Sequence, residues 1–222
     1  MNGRDRVLGR VRAALADVPG PHGPEAADAA AAQLTRGYDR ARGIGDPVAV
    51  LTDRLEDYKA IVRHVTADAL GEEITAAVAR RGARRMVVPP GAPEPWRAAV
   101  ASRAEVAGDE PPLSARELDG VDGVLTGCAA AIALTGTIVL DGGSGQGRRA
   151  VSLVPDYHLC VVTGREIAAT VPEALARLDP ARPLTWISGP SATSDIELRR
   201  VEGVHGPRTL EVLIVPTVPG DR

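Results

Sequence analysis

Short apolar runs alternate with amphipathic segments along most of the chain. Near the start, Val7, Leu8, Val11 and Leu15 recur at helical spacing between arginines, which predicts an amphipathic helix. The stretch PGPHGP, Pro19 to Pro24, ends it and reads as a linker. An alanine-rich helix is expected over about 25–41, followed by a break over 43–47. These segments form a helical arm over 1–45, which either packs on its own domain or reaches a neighbouring subunit. From residue 46 onward the alternation becomes regular. Helices are predicted over 47–57, 68–81 and 171–178. Strands are predicted over 60–65, 84–89, 121–126, 137–140, 158–163, 184–188 and 211–215. Apolar runs of strand length between helical patterns predict an α/β domain over 46–222, its sheet covered on both faces.

Composition narrows the function classes. With 222 residues, 44% of them hydrophobic, the chain can bury a core without covalent staples. A net charge of -3 gives no electrostatic reason to expect nucleic acid or an anionic membrane as partner. The N-terminal stretch MNGRDRVLGRVRAAL is charged throughout, and no apolar run approaches the roughly 18 residues of a membrane span. The expectation is a cytoplasmic protein with no membrane span. Cys128 and Cys160 each sit in apolar surroundings and read as buried, reduced thiols. Two cysteines cannot supply the four thiolates of an ordinary iron–sulfur cluster, and the four histidines show no metal-ligand spacing. No metal is expected.

Two glycine-bearing loops follow predicted strands, where ligands of α/β proteins gather. The first, DGGSGQGRRA, follows TIVL (Thr137 to Leu140). It has the outer glycine spacing of a phosphate-binding P-loop, but Arg148 and Arg149 stand where that motif needs Lys and Ser or Thr. Two readings stay open. The loop is a packed turn with its arginines solvated or paired to acids. Or the amides around Gly145, Gln146 and Gly147 join Arg148 and Arg149 in holding a carboxylate or phosphate. The second loop, SGPSATSDIE, follows LTWI. Ser194 or Thr193 could cap a helix starting near Asp195, with Glu197 completing a capping box. Alternatively Ser188, Gly189 and Ser191 line a ligand site, with Asp195 or Glu197 as acid–base groups. His205, in the turn GVHGP, is the histidine favoured for a site.

The motifs TGTIVL, GQGRR, LVPDYHLCVV, ISGPSATSDIE and GVHGP, in this order, resemble the LUD-domain family, and within it the lactate-utilization subgroup. The resemblance spans about residues 48–215. It implies a fold similar to the NagB/RpiA/CoA-transferase-like α/β fold, with a sheet flanked by helices and an N-terminal helical arm. It also implies membership of a system that oxidises L-lactate to pyruvate, in which iron–sulfur partner proteins carry the clusters and this chain carries no cofactor. The resemblance together with the two glycine loops makes a small carboxylate the expected ligand, with Thr135, Gly136 and Thr137 added to the binding residues; Glu197, Asp195 and His205, raised by the residues themselves, stay the catalytic candidates. One position departs from the family pattern: where A-E-T-G is usual before the TIVL strand, this chain has Leu134 between Ala133 and Thr135. An acid–base role for that position is therefore closed to this chain. Enzymes of similar fold that act alone on CoA esters or phosphorylated metabolites rely on a site lysine or glutamate. The sole lysine here, Lys59, lies outside the motifs. A non-catalytic assembly module is the remaining alternative.

Overall fold

A computed structural model describes residues 3–17, 24–34, 43–193, 201–202 and 206–216. The chain divides into two compact units, Met1–Tyr38 and Asp39–Arg222. The first holds helices α1 (Gly3–Ala14) and α2 (Pro24–Gln33). Val7 and Val11 lie one turn apart on α1, as their spacing predicts. Residues 19–23 of the expected linker and the expected continuation of α2 over 35–41 lie outside the described residues, while Pro24, the linker's last residue, opens α2.

The second unit runs α3 (Pro47–Asp57), β1 (Ile61–His64), α4 (Leu70–Arg81), β2 (Arg85–Val87), α5 (Glu94–Ala101), β3 (Glu105–Ala107), α6 (Ala115–Asp119) and β4 (Gly123–Thr126). It continues with β5 (Ala130–Ile132), a single 3-10 turn (Ala133–Thr135), β6 (Thr137–Leu140), α7 (Arg149–Leu153), β7 (Tyr157–Thr163), β8 (Ile167–Ala168) and α8 (Val171–Leu175). It closes with β9 (Thr185–Ile187), β10 (Ala192–Thr193), β11 (Val201–Glu202) and β12 (Thr209–Val215). Local chemistry sets several boundaries. Asp46 caps α3 by accepting from the Val48 amide at 3.0 Å. Gly82 ends α4 in the left-handed region, at φ 65. Ser114 and Glu117 form a capping box at α6.

Six strands form one parallel sheet in the order β1-β12-β7-β4-β2-β3. Two interior strands, β7 and β12, are almost wholly buried because both of their faces are covered. One face packs Leu159, Val161 and Leu213 against Ile74, Val78 and Val100. The opposite face packs Cys160, Val162, Val212 and Ile214 against Leu51 and Leu55 of α3 and against Ile138 and Leu140. Those last two residues belong to a second sheet, β8-β5-β6-β9, in which β6 runs antiparallel to both β5 and β9.

This second sheet changes the expected plan. The runs at 137–140 and 184–188 read as members of a single α/β sheet, but they pair with each other instead. An apolar run of four residues looks the same in either sheet, since both sheets are buried. The α/β class itself holds: a mainly parallel sheet flanked by helices.

Candidate functional site

The antiparallel pairing of β6 and β9 decides where the two glycine loops go. Leu140 lies opposite Thr185, and Ile138 lies opposite Ile187. The loop after β6 and the loop after β9 therefore leave opposite ends of the pair, not one shared edge.

The loop after β6 is packed against the segment between β2 and α5. Gly142, Gly145 and Gly147 have φ of 68, 70 and 70, a region costly for any side chain. The Gly145 amide donates to the Pro90 carbonyl at 2.9 Å, and the Gly145 carbonyl accepts from the Gly127 amide at 3.0 Å. The Gly143 amide donates to Asp141 Oδ1 at 2.9 Å, and the Gln146 amide to the Gly143 carbonyl at 3.1 Å. The buried Gln146 side chain accepts from the Asp141 amide at 2.7 Å. A Cβ on Gly147 would sit 3.0 Å from Pro89. Three of the loop amides thus have protein acceptors.

The two adjacent arginines have different surroundings. Arg148 forms a two-pronged pair with buried Asp109, Nε to Oδ2 at 2.7 Å and Nη2 to Oδ1 at 2.9 Å, and it also donates to the Leu113 carbonyl. Donation to the Asp109 carboxylate raises the Arg148 pKa. Arg149 has no carboxylate within salt-bridge reach among the described residues. It opens instead onto a cavity.

That cavity, about 960 Å³, runs along β9 from Thr185 to the loop Ser188–Ser191. Arg149 and Ser152 of α7 form one wall, and the starts of β7 and β12, at His158 and Leu210, lie beneath. A smaller cavity of about 280 Å³ shares Arg149, Ser152 and Thr185, and reaches Gly147, Arg148 and Arg182. Of these three shared residues Arg149 is the charged one, so it stands between the glycine loop and the serine loop. Of the remaining expected binding residues, Ser188, Gly189 and Ser191 line the larger cavity. Thr135, Gly136 and Thr137 sit beside it: Thr137 Oγ1 lies 2.9 Å from Ser188 Oγ, and a Cβ on Gly136 would come within 2.6 Å of Arg54 on α3. Asp195, Glu197 and His205, and the helix expected to start near Asp195, lie outside the described residues. The cavity also contains the pair of Arg208 Nε and Asp156 Oδ1, at 2.6 Å, and that bond holds the Asp156 carboxyl below its usual range.

His158 is the site residue that sequence reasoning passed over. It is 1% exposed and lies on β7 between Val124 and Leu210. Its Nε2 is 2.7 Å from Thr126 Oγ1, while Nδ1 has no hydrogen-bond partner among the described residues and no contact with bulk water. Burial lowers its pKa to about 4, so the ring is neutral at physiological pH. An unpaired buried ring nitrogen costs about 1–3 kcal/mol. The signal in the sequence is a lone polar residue in YHLCVV, an otherwise buried strand.

The two thiols, distant in sequence, are neighbours in space and free. Hydrogen bonding with Cys160 and burial push the Cys128 thiol well up, which makes it a poor nucleophile at neutral pH. Among the described residues no group of three potential metal ligands occurs, and no helix is long and apolar enough to cross a membrane.

A family model described as LUD domain matches residues 104–215, which contain both loops and His158. The chain belongs to the LUD domain family. Relatives of this LUD-domain protein carry related names. It is 54% identical over 167 residues to a protein of Deinococcus radiodurans called lactate utilization protein C, covering 73% of this chain and 76% of that one. It is 34% identical over 84 residues to lactate utilization protein C of Halalkalibacterium halodurans, covering 34% of this chain and 36% of the relative. A crystal structure of a DUF162 family protein from Deinococcus radiodurans matches with a TM-score of 0.64 and 44% identity, covering 76% of this chain and 96% of that chain.

Proposed function

We propose that this LUD-domain protein serves lactate utilization as the cluster-free component of a cytoplasmic system that oxidises L-lactate to pyruvate with iron–sulfur partner proteins. The names of its relatives support the pathway. Within that system its role is to bind a small carboxylate, lactate or pyruvate, in the cavity beside β9. Oxidation of lactate releases two electrons and two protons. Two cysteines cannot ligate an ordinary cluster, so the cluster-borne electron transfer is assigned to the partners.

The observation that carries the binding role is Arg149. It is a guanidinium with no acidic partner among the described residues, set at the wall shared by the two cavities. A carboxylate there gains a charge-assisted pair, as Arg148 already has with Asp109. The hydroxyl-bearing loop Ser188–Ser191 lies along the same cavity and offers hydrogen bonds to a second oxygen.

Arg149→Ala is the test, in the assembled system with an artificial electron acceptor. Loss of a hydrogen bond to a charged group, about 1.5–3 kcal/mol, predicts a fall of roughly ten- to a hundredfold in lactate oxidation at limiting substrate. Unchanged oxidation would remove Arg149 from the site. The cavity volume favours one second reading, because about 960 Å³ is far more than a six-heavy-atom acid fills. On that reading the isolated chain would act on a CoA ester or a phosphorylated metabolite, with no partner needed.

A further inference from the structure

We infer that Thr185 is the second donor of the anion site: its hydroxyl and the Arg149 guanidinium together seat one anionic head group at the neck where the two cavities meet. The inference rests on the reading of the cavity as a carboxylate site, and it adds the residue that, with Arg149, fixes where the carboxylate sits.

The neck is made of the three residues that both cavities share, Arg149, Ser152 and Thr185. Ser152 is 1% exposed and spends its one hydroxyl proton on the Arg149 carbonyl, at 3.2 Å, so it has no donor left. Thr185 differs. It is 8% exposed, yet among the described residues its hydroxyl has no hydrogen-bond partner. Nor is that hydroxyl sealed. Among the described residues, the side-chain atoms that lack a hydrogen bond and that water cannot reach are Arg85 Nε and His158 Nδ1. The Thr185 hydroxyl therefore opens into the cavities that its residue lines.

Its place on β9 aims it the same way. Side chains alternate along a strand, so Thr185 shares a face with Ile187 and not with Trp186. Ile187 packs with Ile138, Leu140 and Leu210 between the two sheets, and Leu210 also lines the larger cavity. Thr185 lies opposite Leu140 on that face. A valine would fill this strand position equally well and bury no polar atom. The threonine keeps a proton that no described residue accepts, at the same neck as a guanidinium that no described acid neutralises. An oxyanion offers only acceptors and satisfies both donors at once. The ligand class is a carboxylate.

The test is calorimetric titration of the full chain as wild type, Thr185→Val, Thr185→Ser and Arg149→Ala. L-lactate, pyruvate and inorganic phosphate are the probes, and urea unfolding of each variant is followed in parallel. The hydroxyl has no partner to lose, so Thr185→Val should be at least as stable as wild type. It should bind lactate or pyruvate roughly ten- to a hundredfold more weakly, with Thr185→Ser close to wild type. Arg149→Ala should weaken the same binding. A Thr185→Val protein that binds as tightly as wild type overturns the inference, and if Arg149→Ala is weakened the carboxylate reading stands. A Thr185→Val protein less stable than wild type also overturns it, because the hydroxyl then serves the fold. Phosphate binding that both substitutions weaken, with neither lactate nor pyruvate bound, keeps the seat and fails the carboxylate reading. If none of the three anions binds, both fail.

Discussion

Tyr157→Phe probes the interior of the parallel sheet at a buried charge. Glu211 sits on β12 at 4% exposure. Arg63 and Arg80 both reach its Oε1, each at 2.8 Å, while the Tyr157 hydroxyl donates to Oε2 at 2.7 Å. Among the described residues Oε2 has no other partner. Removing the hydroxyl therefore leaves a buried carboxylate oxygen unsatisfied, at a cost of about 2–3 kcal/mol. Phenylalanine fills the same space and keeps the ring under Arg81, whose guanidinium lies 5.5 Å from the ring centroid. The loss is thus close to that of one hydrogen bond. For a protein of this size it lowers Tm by roughly 5–10 °C.

The pH dependence has a definite sign. Burial alone would raise the Glu211 pKa, but hydrogen bonds from Tyr157, Arg80 and Arg63 outweigh it and hold the carboxyl below its usual range. A carboxylate with a depressed folded-state pKa contributes stability above its unfolded value, and that contribution is lost as pH falls through the folded value. The gap between wild type and Tyr157→Phe is therefore full at pH 7 and narrows in acid. Urea denaturation at several pH values, with unchanged m-values, measures it. A difference below about 0.5 kcal/mol at pH 7, or one that grows in acid, would refute the reasoning.

Three further outcomes are expected. Asp109→Ala strips Arg148 of both carboxylate bonds and the Leu113 amide of its acceptor, and costs about 1–3 kcal/mol in urea unfolding, less than a fully buried pair because Arg148 is partly exposed; an unchanged stability would free Arg148 for a ligand. Gly189→Ala places a Cβ 2.6 Å from Tyr58 Cβ at φ 77, so a loss of about 1–3 kcal/mol is expected together with weaker carboxylate binding by the displaced serine loop, read by thermal melts and calorimetry. Arg149→Ala changes stability by less than about 0.5 kcal/mol, because its guanidinium has no acidic partner among the described residues, and a larger drop in urea unfolding would show a structural role.

The strands at the centre of the fold were readable as apolar runs because β7 and β12 are buried on both faces and are long enough to stand out. Helices α3 and α4 carried their own limits, in the Asp46 cap and the Gly82 terminus. Helix α5 was not read, because EPWRAAVA is only eight residues long and follows a proline- and glycine-rich stretch. The second sheet was not readable either: strand length and burial do not name a strand's partner. The same limit applies at the site. Arg148 and Arg149 are indistinguishable in sequence, and what separates them is Asp109, 39 residues away. In sequence both readings of the glycine loop stay open, and the packing of Pro89–Ala92 against it is visible only in the fold. His158 opens a predicted strand, and its unpaired nitrogen appears only with the fold.

The central claim is that this LUD-domain chain works inside a lactate-oxidising assembly. The most direct measurement is anaerobic co-expression of the tagged chain with iron–sulfur partner proteins, followed by L-lactate oxidation with an artificial acceptor, with and without this chain. Stable co-purification, with activity that requires this chain, is the predicted result. Absence of any bound partner, with the same activity whether or not the chain is present, would contradict it.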